Sequence, residues 1–72
     1  MRTYKQQRRE FVLLAMKLIE KENKYGPRRI EICSDFVLFY DGLIRYTISS
    51  NWPTGKIDIQ ISALKDLLKE QK

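Results

Sequence analysis

Residues 36–49 read FVLFYDGLIRYTIS, two apolar runs separated by Asp41-Gly42. An Asp-Gly pair between apolar runs is among the strongest short-range hairpin signals, because a type I′ turn needs φ > 0 at both central positions. Phe36–Tyr40 is apolar at every position, which predicts a strand covered on both faces. The return, Leu43–Ser49, places Ile44, Tyr46 and Ile48 on one face and Arg45, Thr47 and Ser49 on the other.

Upstream, Arg29–Cys33 alternates with Ile30 and Ile32 inward, and Ser34-Asp35 joins it to the hairpin as a tight turn. Downstream, Asn51–Gly55 is a loop. Ile57, Ile59 and Ile61 then alternate with Lys56, Asp58 and Gln60, which predicts a half-exposed fourth strand. Ser62 follows as the N-cap of a last helix of about ten residues, with Ala63, Leu64, Leu67 and Leu68 toward the core.

The chain opens with a helix signal. Thr3-Tyr4-Lys5-Gln6 fits a capping box, and the helical pattern runs to about Lys24, where Gly26 and Pro27 stop it. Tyr4, Phe11, Val12, Leu14, Ala15, Met16, Leu18 and Ile19 fill an arc of roughly 200° on the helical wheel, and Leu13 falls outside even that. One contact surface needs only about 100°, so this helix touches its sheet and something else. The reading is one α+β domain over 1–72: an N-terminal helix, an antiparallel meander of three or four strands, and a short C-terminal helix.

Composition narrows the function. Among 72 residues there are 14 Lys and Arg, nine Asp and Glu, one Cys and no His, a net charge of +5. Without His the commonest acid–base group near neutral pH and the commonest metal ligand are missing, and Cys33 alone builds neither a thiolate zinc site nor a disulfide. Cys33 reads as a small buried or interface residue. Asp35 and Asp41 lie about 20 Å apart along an extended strand, too far for an acid–base pair, and read as turn residues. Ser34, Ser49, Ser50 and Ser62 have no base at motif spacing, and Gly26, Gly42 and Gly55 each serve a turn rather than a phosphate loop. No enzyme, no cofactor and no metal is expected. The apolar run 11–16 stops at Lys17, short of the roughly 7–15 residues of a signal-peptide core. Nothing approaches the ~20 residues of a membrane span, so the expectation is a soluble, cytoplasmic protein with no membrane partner.

Charge is uneven. Residues 1–29 hold nine basic and three acidic side chains, a net of +6, and residues 30–72 carry a net of −1. The cluster Lys21, Lys24, Arg28 and Arg29 lies at the end of the first helix, where the macrodipole favours cations. Arg2, Lys5, Arg8 and Arg9 lie at its start, where helix stability alone selects acids. These four read as a phosphate-binding patch, extended by Arg28, Arg29 and Trp52, where Trp52 in its loop is either an exposed stacking ring or a lid folded back on the core. Leu13, Met16, Phe36, Leu38 and Tyr40 read as apolar surface for a protein interface.

Gly55–Ser62, running into Leu64–Glu70, is similar to the last strand and helix start of the positive-cofactor-four family of single-strand DNA binders. That resemblance implies a dimer with a basic sheet surface gripping unpaired strands. It covers about a quarter of the chain, which lacks the family's helix aromatic and has a long leading helix that the family core does not require. The expected function is a small basic nucleic-acid-binding regulator, acting as a homodimer. The alternative is a protein-interaction module, such as an inhibitor, adaptor or assembly subunit of the size common in phage and mobile-element genomes.

Overall fold

The computed structural model describes residues 2–21 and 26–70. Helix α1 (Tyr4–Ile19) opens on the expected capping box: Thr3 Oγ1 accepts from the Gln6 N–H at 3.2 Å and Gln6 Oε1 accepts from the Thr3 N–H at 2.9 Å. The helix ends at Ile19, short of Lys24; residues 22–25 lie outside the described residues. Three strands follow, β1 (Arg28–Ile32), β2 (Phe36–Asp41) and β3 (Ile44–Ser49), forming an antiparallel sheet in the order β1-β2-β3. Helix α2 (Thr54–Glu70) closes the chain.

The β2–β3 hairpin turns one residue later than the Asp-Gly signal implies. Asp41 stands opposite Ile44 as the last ladder pair, so the two-residue loop is Gly42-Leu43. Only Gly42 has positive φ in this turn, at 62°, the pattern of a type II′ turn rather than type I′. The Ser34-Asp35 turn stands as read, with the Cys33 N–H donating to the Phe36 carbonyl at 2.9 Å.

The fourth strand is absent, and residues 56–61 belong to α2. Ile57, Ile59 and Ile61 satisfy a period of two, but Ile57, Ile61 and Leu64 also satisfy i, i+4, i+7. The helical reading wins because those three bury fully against the core, leaving Ile59 65% exposed. Ser62 therefore sits within the helix and not at its start. The Pro53 carbonyl takes the first turn's N–H groups, from Lys56 at 3.1 Å and Ile57 at 3.2 Å. The likeness to the positive-cofactor-four strand-and-helix junction falls with the strand.

Both helices pack on one face of the sheet. Phe11, Ala15 and Leu18 of α1 and Ile57, Ile61 and Leu64 of α2 meet Val37, Phe39 and Ile48 in a single core. The wide apolar arc of α1 is thereby explained, since the helix touches the sheet and α2. The opposite sheet face is open, so β2 is covered on one side only. Phe36 is exposed and Leu38 and Tyr40 are half-buried there, beside Arg29, Glu31, Arg45, Thr47 and Ser49. Ile32, expected inward, lies at the end of an edge strand and is 50% exposed, and Cys33 after it is exposed.

One polar pair is buried within this frame. Arg28 and Asp41 are opposite in the β1–β2 ladder, and Arg28 Nε donates to Asp41 Oδ1 at 2.7 Å with side chains 3% and 8% exposed. Arg28 Nη1 also donates to the Leu18 carbonyl at 2.8 Å, one of the last acceptors of α1. The same corner brings two glycine backbones together: Gly26 has φ +129°, and a Cβ there would stand 3.3 Å from Gly42 Cα.

Removing Arg28 alone strands a buried carboxylate and leaves a helix end uncapped. Arg28→Met is expected to cost about 3–5 kcal/mol in urea unfolding, and the double change Arg28→Met/Asp41→Leu to recover a large part of that loss.

Candidate nucleic-acid interface

Gln7 holds the start of α1 against α2. Gln7 is 1% exposed, with Nε2 donating to the Thr54 carbonyl at 3.1 Å and to Asp58 Oδ1 at 2.9 Å. It falls in the buried stripe Gln7, Phe11, Ala15 and Leu18, so its i−4 spacing from Phe11 marks its position in the sequence. The type of residue hid it, since a glutamine reads as surface until its partners are known.

The four cations of the helix start divide into two groups. Arg2 turns toward α2, pairing with Glu10 and lying 3.7 Å from Asp58 Oδ1. Lys65 of α2 completes that network, with Nζ 2.9 Å from Glu10 Oε2. Lys5, Arg8 and Arg9 instead line an open groove of about 460 Å³, together with Val12, Leu13 and Ile32. No carboxylate lines it, and no acid stands in the first turn of α1. The positive end of the helix dipole adds to the potential there.

Two polar atoms at this end are buried without a partner among the described residues: Arg8 Nε and the Tyr4 hydroxyl. Burial raises the Tyr4 pKa, the Arg8 charge opposes that shift, and Asp35 on the β1–β2 turn adds to it.

The remaining sequence-predicted residues scatter. Arg28 is buried on Asp41 and the end of α1, which removes it from any footprint. Arg29 lies on the open sheet face, stacked on Tyr40 at 4.2 Å from the ring centroid and 3.2 Å from Glu31 Oε1. Trp52 packs against the core and is half-buried, with Lys56 Nζ 4.0 Å from its ring centroid. It is a lid on the core, not a free stacking ring. Leu13 and Met16 are exposed on α1, at 53% and 49%, while Phe36, Leu38 and Tyr40 lie on the open sheet face. Arg45 is a cation that the sequence reading passed over. It stands opposite Tyr40, so a row Arg29, Tyr40, Arg45 crosses the open face. Its signal was the period-two alternation of β3.

Among the described residues no helix is long and apolar enough to cross a membrane, and no group of three or more His, Cys, Asp or Glu is placed to hold a metal ion. No family model, curated protein or solved structure matches the chain.

The α1–α2 network titrates in a predictable direction. The Glu10 carboxyl is held below its usual 4.5, chiefly by the hydrogen bond from Lys65; burial opposes this and the Arg2 and Lys65 charges add to it. A lowered folded-state pKa gives stability that is present above the ordinary value and lost as pH falls through the folded one. Glu10→Gln should therefore be less stable than the parent at pH 7, and the gap should close toward about pH 3 in urea unfolding followed by circular dichroism.

Proposed function

We propose that the protein is a small, non-catalytic nucleic-acid-binding protein that acts as a homodimer and grips phosphates with Lys5, Arg8 and Arg9. The observation that carries this reading is the sorting of the cations. Arg28 is neutralised inside the fold and Arg2 is paired with acids on its surface, while Lys5, Arg8 and Arg9 share one groove with no carboxylate in its described lining. Backbone contacts of this kind position a nucleic acid without reading its sequence, which suits a regulator or a scaffold that binds broadly.

A second reading, a protein-interaction module, is favoured by one specific observation. The same groove contains Val12, Leu13 and Ile32, and Met16 lies beyond them. Association of that type survives high salt and is lost in Leu13→Asp.

Fluorescence anisotropy with labelled single- and double-stranded oligonucleotides tests the first reading. With one groove of the dimer engaged, three phosphate contacts predict that affinity for duplex falls about 40-fold between 50 and 200 mM salt, and affinity for single strands about 20-fold. Arg8→Ala/Arg9→Ala should flatten the logarithmic salt slope by about two contacts. Absence of binding at 50 mM salt would overturn the reading.

A further inference from the structure

The edge of β1 carries a pattern that matches itself. Cys33 donates its N–H to the Phe36 carbonyl at 2.9 Å, and Gly42 donates to the Pro27 carbonyl at 3.1 Å. In an antiparallel ladder inward and outward groups alternate, so Arg29 and Glu31 turn their backbone toward β2, and Ile30 and Ile32 turn theirs outward. Among the described residues no strand pairs with that edge. An open edge presents a row of donors and acceptors to another strand.

We infer that β1 pairs with β1 of a second copy, antiparallel, about a two-fold axis at Ile30, to form a continuous six-stranded sheet. The inference specifies the dimer of the proposed function and needs nothing of its nucleic-acid part. Three registers keep the two five-residue strands largely overlapped. An axis at Arg29 sets Arg29 against the partner's Arg29, and an axis at Glu31 sets Glu31 against the partner's Glu31. Only the axis at Ile30 places Arg29 opposite the partner's Glu31, and does so twice by symmetry. In that register Ile30 and the partner's Ile30 exchange N–H and C=O bonds through the outward groups. Arg29 and Glu31 then occupy the non-hydrogen-bonded positions, where facing side chains stand closest.

Side chains beside the edge agree. Arg29 and Glu31 are 61% and 47% exposed and now pair along one strand at 3.2 Å, ready to exchange that contact for the same one across the axis. The β3 edge has only Arg45 as a charged residue on Ile44–Ser49 and offers no such match.

The test is a charge exchange read by sedimentation equilibrium over a concentration series without nucleic acid. The parent should show twice the monomer mass. Arg29→Glu sets two acids against each other and Glu31→Arg two bases, so each variant alone should weaken the dimer about tenfold or more. An equimolar mixture of the two variants should dimerise again, because each strand then meets its complement. Both positions are exposed, and far-UV circular dichroism confirms that each variant folds. The inference is overturned by a parent that stays monomeric, by single variants that dimerise as the parent does, or by a mixture that fails to recover. Because no oligonucleotide is present, such a failure stays separate from a failure of nucleic-acid binding.

Discussion

The buried pair of Arg28 and Asp41 is the constraint on which the rest of the structure depends. It ties the first residue of β1 to the last residue of β2, and through the Leu18 carbonyl it ties both to the end of α1. A buried charge pair brings little net stability compared with apolar residues of the same shape, yet breaking it from one side is costly. Its use here is positional. With α1 ended at Ile19 by this contact, the helix lies over β1 and β2, and its first two turns reach the Ile32 end of the sheet where the groove forms.

The second organising feature joins α1 to α2. Gln7 donates to Thr54 and Asp58, and the Arg2, Glu10 and Lys65 network runs beside it along the helix interface. This explains why a basic helix start is tolerated. One of its four cations is absorbed by acids of α1 and α2, and the other three line a common groove. The positive potential follows from the internal pairing as much as from the count of basic residues.

Most local signals in the sequence were legible where the partner lay close in the chain, although the Asp41-Gly42 signal placed the hairpin turn one residue early. The capping box of Thr3 and Gln6, the Ser34-Asp35 turn and the facing of β2 against β3 all depend on neighbours within a few residues or across one turn. Three readings failed because their partners lie far away. Ile57, Ile59 and Ile61 carry a strand period and a helix period at once, and only the core supplied by α1 and the sheet decides between them. Arg28 looked like a free cation at a helix end because Asp41 is thirteen positions on, as its hydrogen bond records. Trp52 allowed two readings, ring or lid, because nothing in its loop shows that the core lies beneath it, and the ring fails. Of the proposed footprint, Lys5, Arg8 and Arg9 come together in space, Arg29 faces another surface, and Arg2 and Arg28 are paired internally.

The central claim is that the fold sorts its cations into those that hold it together and those that it presents. Arginine side-chain Nε–H resonances, followed by NMR during titration with a short oligonucleotide, test this most directly. The Arg8 and Arg9 signals are expected to shift with added ligand, while the Arg28 signal is protected from solvent exchange and stays in place. A titration in which Arg28 moves with Arg8, or in which Arg8 and Arg9 stay still while other arginines respond, would contradict it.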